Sequence, residues 1–397
     1  MQSMQFSSNV ANLEPSATIA LAARAKQLKR DGAPVVDMSA GEPQYAPPRA
    51  AAAGLARAMS LGETGYPPTP GIPDLRSAVA RYLTDTTESE VAPASILVSA
   101  GVKQALFNCC YALFGPGDEV MIPAPYWPTY TAMADLAGAS PVIVETTVES
   151  GFMPTVEQLE QHRTERTACL ILNSPGNPTG AVAGLELISQ LARWCDVHGI
   201  WLFSDEIYRR LSYSHRPAPS LLDADSRGER CVVFDGFSKA FCMPGFRIGF
   251  AAGPGELVKK ASDLQGQTTS GAVLPAQRAA FEVLNHVEER EEFIDAMLRK
   301  LIRLRQTGIE AFASMPGIDV PDPDGALYFY GKLTDAARSC MQVAEDLLIQ
   351  DHVAAVPGAS FGSPGWLRFN FAVQPDELEE GLGRLRNHFS RRAAAGS

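Results

Sequence analysis

The sequence predicts an α/β fold, in which a large domain has a mostly parallel sheet sandwiched by helices and a smaller domain is α+β. Short apolar runs without polar alternation recur through the middle of the chain, which is typical of strands buried on both faces. Segments with helical spacing separate these runs, as in β–α units. Beyond about residue 285 a long amphipathic pattern is followed by short strand-like runs, which indicates the second domain.

The predicted elements follow from these patterns in chain order. The strands of the large domain are predicted at Ser95–Ser99, Glu119–Ile122, Pro141–Glu145, Ala168–Leu172, Ile200–Phe203, Cys231–Phe234 and Phe246–Ala251. The helices that the spacing marks most clearly are Ile19–Arg30, Lys103–Leu113, Glu288–Phe312 and Met341–Gln350. Two short strands, Ala326–Tyr330 and Leu367–Phe371, flank the last of these helices. We expect residues 1–46 to pack against this C-terminal segment.

Composition excludes several classes of protein. The chain has 397 residues, with 34 Lys and Arg against 45 Asp and Glu, which gives a net charge of −11. Nucleic acid is therefore an unlikely partner, because phosphate contacts need clustered basic residues. We expect neither a transmembrane nor a secretory segment, since the apolar runs are strand-sized. The seven cysteines show no CxxC spacing or Cys/His cluster, so we predict no metal site and a reducing, cytoplasmic location.

Chemically useful groups follow the predicted strands, at the positions where ligands bind in an open α/β sheet. They comprise a glycine-bearing helix start, an indole, an amide, a carboxylate with a phenol, and an amine with a guanidinium. The segments that carry them are Ala100–Gln104, Pro125–Trp127, Asn173–Gly180, Ser204–Tyr208 and Asp235–Lys239, with Arg247 eight residues further on. We expect the sheet to bring these groups together at one edge.

Pyridoxal phosphate chemistry needs this set of groups. A lysine forms a Schiff base with the cofactor, and a carboxylate pairs with the protonated pyridine nitrogen so that the ring can withdraw electrons. Amides at a helix N-terminus and an arginine bind the phosphate. An aromatic face stacks on the ring, and polar groups hold its phenolic oxygen.

On these residues the chain resembles the class I (fold-type I) pyridoxal-phosphate-dependent aminotransferases, and most closely their bacterial aspartate aminotransferase branch. The motifs keep a consistent order from about Pro15 to Val373, and the ordered set is far more specific than any one of them. They are Pro15–Thr18, Ala40–Pro43, Gly65–Tyr66 with Gly71–Arg76, Gly101–Phe107, Pro125–Trp127, Asn173–Gly180, Ser204–Tyr208, Ser238–Phe241 with Gly245–Gly249, Gly325–Tyr328 and Leu367–Asn370.

The resemblance implies a domain organisation and an assembly. We predict an N-terminal arm of residues 1–13, a discontinuous small domain of residues 14–46 and 290–397, and a large cofactor domain of residues 47–289 whose sheet is of the family's seven-stranded type. The family's active sites are shared within a homodimer. Tyr66 matches the residue that reaches the phosphate in the neighbouring subunit.

The catalytic residues are carried over position by position. Lys239 matches the Schiff-base lysine, which also moves the proton during catalysis. Asp205 resembles the partner of the pyridine nitrogen, whereas Glu206 beside it is expected to point away. Tyr208 and Asn177 match the residues that bind the phenolic oxygen, and the bond from Asn177 to Pro178 is expected to be cis, as in the family.

The remaining cofactor contacts surround the ring and the phosphate. Trp127 matches the aromatic residue stacked on the ring, and Arg247 resembles the phosphate-binding arginine. The amides expected to bind the same phosphate are those of Gly101, Val102 and Lys103. Where the family often has a phosphate-binding serine, this chain has Gly236, and Ser238 is the nearest replacement.

The substrate contacts implied by the resemblance are Gly41, Lys103, Trp127, Asn177 and Arg368. Arg368 matches the arginine that grips the α-carboxylate, for which its planar fork is suited. A lysine at the position of Lys103 binds the distal carboxylate of aspartate or glutamate in the acidic branch of the family. Cys242 and Pro244 replace commoner residues, and we expect them to change the shape of their loop without loss of chemistry.

These residues predict transamination of an amino acid with a 2-oxo acid by a ping-pong mechanism, with aspartate and 2-oxoglutarate as the favoured pair. Ser16 and Thr18, in the segment that closes over substrate, also favour a dicarboxylic amino acid. If Lys103 does not read the side chain, aromatic or other neutral amino acids become substrates.

The sequence leaves one alternative activity open and disfavours two others. A pyridoxal-phosphate carbon–sulfur β-lyase on the same fold stays an alternative. A non-catalytic regulator is disfavoured because only a short arm precedes the α/β region, and a dehydrogenase because Gly253-Pro-Gly255 lacks the third glycine of GxGxxG.

Overall fold

The computed structural model of the chain describes residues 7, 10, 17–214, 216–225, 228–335 and 338–395. Apart from residues 7 and 10, the predicted arm lies outside the described residues, and so does Ser16. No helix within the described ranges is long and apolar enough to cross a bilayer. Nor do these residues hold a group of three or more His, Cys, Asp and Glu side chains arranged for a metal ion.

The strands form one large and two small sheets. In chain order they are β1 Val36–Asp37, β2 Ile96–Ser99, β3 Glu119–Ala124, β4 Ser140–Glu145, β5 Thr167–Asn173, β6 Trp201–Asp205, β7 Cys231–Gly236, β8 Gly249–Ala252, β9 Ile318–Asp319, β10 Tyr328–Leu333, β11 Val353–Ala354, β12 Val356–Pro357 and β13 Trp366–Asn370.

The helices alternate with the strands of the large sheet and then dominate the C-terminal part. They are α1 Ala17–Arg30, α2 Arg49–Ser60, α3 Pro73–Thr86, α4 Val102–Leu113, α5 Thr129–Ala137, α6 Val156–His162, α7 Leu185–His198, α8 Gly255–Thr268, α9 Leu274–Asn285, α10 Val287–Ala313, α11 Cys340–Gln350 and α12 Pro375–Ala395. Short 3₁₀ turns lie at Pro93–Ser95, Leu221–Asp223, Pro244–Phe246 and Gly358–Phe361.

The large sheet has the order β2-β8-β7-β6-β5-β3-β4. All its strands run parallel except β8, which is antiparallel to both β2 and β7. Every position of β2 is buried, and so is nearly every position of β6, which means that both faces of the sheet are covered. The predicted mostly parallel, helix-covered sheet is therefore confirmed.

The smaller sheets are built from strands of the C-terminal part of the chain, joined by β1 from the N-terminal part. One has the order β12-β13-β10-β9 and is antiparallel, and the other pairs β1 with β11 in parallel. Helix α1 packs through Leu21, Ala25 and Leu28 against Leu348 and Ala354, as expected for the N-terminal segment. The fold class, α/β with a smaller α+β part, is thus confirmed, whereas the exact domain boundaries stay predictions. The boundary predicted at 289/290 falls inside helix α10.

The predicted strand Phe246–Ala251 is wrong at its start. Residues Pro244–Phe246 form a 3₁₀ turn, and Arg247 has a left-handed backbone with φ of +52°. The chain can join the sheet only after this turn, so β8 begins at Gly249. Because β8 is antiparallel to β7, this turn lies at the same edge of the sheet as the carboxyl ends of the parallel strands.

Candidate active site

A cavity of about 680 Å³ lies at the carboxyl edge of the large sheet. The register explains why its side chains meet: Asn173 pairs with Asp205 across β5 and β6, and Gly236 pairs with Gly249 across β7 and β8. The predicted site residues that line it are Gly41, Val102, Lys103, Trp127, Asn177, Asp205, Tyr208, Ser238, Lys239, Arg247 and Arg368.

Lys239 follows β7 and extends into this cavity. Its ammonium group donates a hydrogen bond to the carbonyl oxygen of Gly41. The pKa of Lys239 is lowered to about 8, mainly by burial; Glu42 opposes the shift, and the charges of Arg368 and Arg247 add to it. About a tenth of this lysine is therefore the neutral, nucleophilic amine at pH 7, far more than for a solvated lysine with a pKa of about 10.4.

Asp205 ends β6 on the floor of the cavity. The Tyr130 hydroxyl donates to its Oδ2 at 2.7 Å, and the backbone N–H of Ile207 donates to its Oδ1 at 3.2 Å. Burial raises the pKa of Asp205 to about 6, although both hydrogen bonds and the Lys239 charge favour the carboxylate. No Lys, Arg or His of the described residues forms a salt bridge with it. This buried carboxylate thus has no salt-bridge partner among the described residues.

Two phenols are joined beside Lys239. The hydroxyl groups of Tyr208 and Tyr328 lie 2.6 Å apart, and Tyr328 also donates to the carbonyl oxygen of Gly41 at 3.3 Å. Burial raises the pKa of both tyrosines, so both stay protonated at neutral pH and can act as hydrogen-bond donors.

Arg368 lies on β13 of the small antiparallel sheet, and its side chain reaches the cavity at the edge of the large sheet. Its guanidinium donates to Oδ1 of Asn177 at 2.9 Å and to the carbonyl oxygen of Ser39 at 2.7 Å, and it lies 4.4 Å from the centre of the Tyr328 ring. Its buried Nε has no partner among the described residues. The peptide bond from Asn177 to Pro178 is cis, which confirms that expectation.

An anion cradle lies at the start of helix α4. Gly101, the residue before the helix, has a left-handed φ of +83°, and a Cβ there would lie 2.5 Å from a terminal nitrogen of Arg247. Arg247 itself donates to the carbonyl oxygens of Pro244 and Ala100, at 3.0 and 3.3 Å. Free amides at a helix start beside a guanidinium bind an anion.

Lys103 and Trp127 form one wall of the cavity. The Lys103 ammonium lies 4.8 Å from the centre of the indole ring, a cation–π distance. Burial, together with the charge of Arg247, lowers the pKa of Lys103. Within the described part of the chain Lys103 forms no salt bridge.

Two of the predicted residues do not line the cavity in this chain. Gly101 lies directly behind it, next to Arg247. Tyr66 is 92% exposed and lies outside it. Glu206 points away, as expected, because its Oε1 accepts hydrogen bonds from Ser204 and from the backbone of Leu221.

Gly236 and Cys242, which differ from the residues common in the family, both lie where the backbone is constrained. A Cβ at Gly236 would lie 2.7 Å from the Cα of Gly249, so the close pairing of β7 and β8 requires glycine there. Cys242 has a left-handed φ of +51° and precedes the turn that contains Pro244. A 3₁₀ turn thus lies between Lys239 and Arg247, and a change of loop shape relative to the family stays a prediction.

Several lining residues were not singled out from the sequence. Tyr130 lies one helical turn after Trp127, a spacing that could have suggested it, and Tyr328 lies in a motif to which no role was given. Asn173 ends β5, and its side chain donates to the Asp205 carbonyl oxygen at 2.9 Å. Glu42 lies in the motif Ala40–Pro43, where only Gly41 was given a role, and Lys26 has no sequence signal beyond its charge.

Comparison with known proteins identifies similar sequences over nearly the whole chain. Residues 33–385 match the family described as aminotransferase class I and II. The probable aspartate/prephenate aminotransferase of Aquifex aeolicus is 36% identical over 386 residues, which cover 96% of this chain and 98% of that protein. The aspartate aminotransferase of Bacillus subtilis is 35% identical over 390 residues, 96% of this chain and 98% of that protein.

Solved structures give the same result for the fold. The aspartate aminotransferase of Thermus thermophilus with maleate superposes with a TM-score of 0.93 at 36% identity, covering 97% of this chain and all of that one. The aspartate aminotransferase of Thermotoga maritima has a TM-score of 0.90 at 31% identity, again over 97% of this chain and all of that one.

Proposed function

This chain belongs to the class I and II aminotransferases, and we propose that it exchanges the amino group of aspartate with 2-oxoglutarate by a ping-pong mechanism that depends on pyridoxal phosphate. The family uses this cofactor, and relatives named as aspartate or aspartate/prephenate aminotransferases match the chain over its length. The roles of individual residues given below are part of the proposal.

The observation that carries the proposal is Arg368. Arg368 is 3% exposed, and its guanidinium forms no salt bridge among the described residues and leaves Nε without a partner. A buried charge is costly unless it is paired. A substrate α-carboxylate would supply the missing charge and accept the free donor, which fits the recognition of an amino acid.

The cofactor fits the remaining groups. The carboxylate of Asp205, which has no salt-bridge partner among the described residues, suits a protonated pyridine nitrogen, and the Arg247 guanidinium, which lies against Gly101 at the start of α4, suits a phosphate. Lys239 would attach the cofactor through its Nζ, Trp127 would stack on the ring, and Ser238 would add a hydroxyl to the phosphate. Val102 and Lys103 would hold the phosphate through their amides, whereas the Gly101 amide donates to the carbonyl oxygen of Ser99 at 2.7 Å. Asn177 and Tyr208 would bind the phenolic oxygen.

Pyridoxal phosphate, when bound, withdraws the electron pair left on the substrate α-carbon and stores the amino group between the two half-reactions. The protein supplies the proton transfer and the orientation. The Lys239 amine removes the proton from the substrate α-carbon and delivers it to the carbon of the cofactor that is bonded to the amino nitrogen. Its lowered pKa keeps it available as a base near neutral pH. Arg368 and Asn177 hold the α-carboxylate so that the bond to be broken stays aligned.

The lowered pKa of Lys239 gives a direct prediction for the cofactor-free protein. Only the neutral amine is acylated, so the rate of acetylation of Lys239 by acetic anhydride should rise with pH with a midpoint near 8. Solvated lysines have a pKa of about 10.4. Peptide mass spectrometry after short pulses at a series of pH values gives the rate for each lysine. A midpoint for Lys239 at or above 10 would contradict the proposed environment.

Lys103 supports the choice of a dicarboxylic substrate. It lines the cavity, has no carboxylate partner in the described ranges and lies beside Trp127. An anionic side chain would pair with it, whereas a neutral side chain would leave a partly desolvated charge unpaired. The similar aspartate aminotransferase of Thermus thermophilus was solved with maleate, which is a dicarboxylate.

A panel of amino donors with 2-oxoglutarate tests the proposed pair. We expect the highest kcat/KM for aspartate, with release of oxaloacetate and ping-pong kinetics. A higher kcat/KM for phenylalanine or leucine than for aspartate would show that the preferred donor is a neutral amino acid. Pyruvate and ammonia from cystathionine, without transamination, would instead identify a carbon–sulfur β-lyase.

Replacing Lys103 by methionine should raise KM for aspartate by about 10- to 100-fold relative to KM for alanine, because a hydrogen-bonded charge pair of about 1.5–3 kcal/mol is lost. Lys103→Arg, which keeps the charge, should retain much of the preference. Steady-state kinetics with aspartate, alanine and phenylalanine measure this effect. An equal change for all three donors would show that Lys103 does not read the side chain.

We also propose that the chain works as a homodimer with shared active sites. Tyr66 is almost fully exposed and lies outside the cavity of its own chain, where it can serve a neighbouring subunit. Analytical ultracentrifugation should give twice the chain mass of 42.6 kDa. A monomer with full activity would exclude the shared site.

A further inference from the structure

Helix α1 brings a second lysine to the cavity wall. Ala23 and Lys26, one helical turn apart, both line the cavity. Lys26 thus joins Lys103, Arg247 and Arg368 around the same space, although it comes from a different element. The function proposed above gives it no role.

The helix is oriented by its opposite face. Leu21, Ala25 and Leu28 pack against the hydrophobic cluster that contains Leu348 and Ala354. At about 100° per residue, these three side chains occupy one side of the helix. Ala23 and Lys26 lie on the other side, so packing of the apolar stripe directs Lys26 toward the cavity. The small side chain of Ala23 leaves space next to it.

The Lys26 ammonium is available for a ligand. It takes part in no hydrogen bond or salt bridge with the residues that the structure describes, whereas Arg24 on the same helix pairs with Glu345 at 3.2 Å. The carboxylates that line the cavity are Glu42 and Asp205, and neither forms a salt bridge with Lys26. An unpaired cation facing a substrate cavity favours an anionic group on the substrate.

We propose that Lys26 is a specificity-determining residue that binds the carboxylate remote from the substrate α-carbon. The inference rests on the proposed function, in which Arg368 holds the α-carboxylate and Arg247 the cofactor phosphate. Lys103 on helix α4 and Lys26 on helix α1 are then the cations that remain for a second carboxylate. The ligands selected are dicarboxylic amino acids and their 2-oxo acids.

The binding of succinate and butyrate to the holoenzyme tests the inference, because the two acids have equal length and differ in one carboxylate. Isothermal calorimetry gives the ratio of their dissociation constants for wild type, Lys26→Met, Lys26→Arg and Lys29→Met. Methionine keeps the length of the side chain and removes the charge. Lys29 is the matched control, since it lies on the same helix, is exposed and does not line the cavity.

We expect Lys26→Met to reduce the preference for succinate over butyrate roughly five- to tenfold, as for loss of a partly screened charge pair. Lys26→Arg should keep the preference, and Lys29→Met should match the wild type. The preference of the wild type should also weaken as salt is raised from 0.02 to 0.3 M. An unchanged preference in Lys26→Met, or an equal loss in Lys29→Met, would overturn the inference.

Kinetics separate this inference from the function on which it rests. In Lys26→Met, kcat/KM for aspartate should fall relative to kcat/KM for alanine by the same factor as the binding ratio. If the wild type transaminates no dicarboxylic donor, the proposed substrate is wrong, and the succinate ratio still decides the role of Lys26. If aspartate is the preferred donor and the ratio does not change in Lys26→Met, only the role of Lys26 is wrong.

Discussion

Replacing Lys239 by alanine should lower kcat for transamination about 10³- to 10⁴-fold. Proton transfer by a positioned side chain contributes about 10²–10⁴ to the rate, and this amine would also attach the cofactor. Its burial and lowered pKa make it the best base in the cavity. Stopped-flow absorbance with aspartate measures the half-reaction directly. The exposed Lys259 on α8, changed to alanine, is the control and should leave the rate as in wild type.

Borohydride gives an independent test of the same assignment. Reduction of the wild-type holoenzyme should fix the cofactor onto the peptide that contains Lys239, as shown by mass spectrometry. Because Lys26 and Lys103 line the same cavity, they are the informative competitors. Fixation onto either of them would contradict the role of Lys239, even if the variant were inactive.

Replacing Asp205 by asparagine should lower kcat about 10²- to 10³-fold, because breaking a buried charge pair costs about 3–5 kcal/mol. The carboxylate would then no longer hold a proton on the pyridine nitrogen, so the ring would withdraw electrons less strongly. Tyr130→Phe removes only the 2.7 Å hydrogen bond to Asp205 and should cost about tenfold or less. A fall in Asp205→Asn no larger than that in Tyr130→Phe would argue against this role.

The stability of the cofactor-free protein distinguishes this role from a structural one. Burial raises the pKa of Asp205 from 3.8 to about 6, so its contribution to folding is most favourable below about pH 4 and is lost as the pH rises through 6. Above pH 7 the buried carboxylate destabilises the cofactor-free protein by up to about 3 kcal/mol. Asp205→Asn should therefore raise its Tm at pH 8 and have little effect of this kind at pH 4. A lower Tm at pH 8 would indicate a structural role.

Local sequence patterns predicted most of the large sheet correctly. Apolar runs without polar alternation marked strands that the structure buries on both faces, with bounds that differ by one or two residues at most of them. The exception was the start of β8, where the left-handed backbone of Arg247 and the 3₁₀ turn before it left no hydrophobic signal. Hydrophobic periodicity reports burial, and it cannot report a turn whose side chains are also apolar.

The candidate site was predicted in part for the same reason. Lys239, Asp205 and Asn177 follow buried strands and could be found from their position alone, and the ordered motifs added Trp127 and Arg368. Tyr130 and Lys26 were missed, because what brings each of them to the cavity is the face of a helix. Tyr130 contacts Asp205, 75 positions away in the chain, and the helix of Lys26 packs against Leu348 and Ala354 near the other end of the chain.

By itself, the sequence determined the fold class, the family and the groups available for chemistry, because burial periodicity and strand-end residues are local properties of the chain. The tertiary structure alone decided which charges lack a partner. Arg368 and Asp205 are buried without a counter-ion among the described residues, and Lys26 faces the cavity because its helix packs through Leu21, Ala25 and Leu28. Pairing and desolvation depend on distances between remote segments, and those distances exist only once the sheets and helices have packed together.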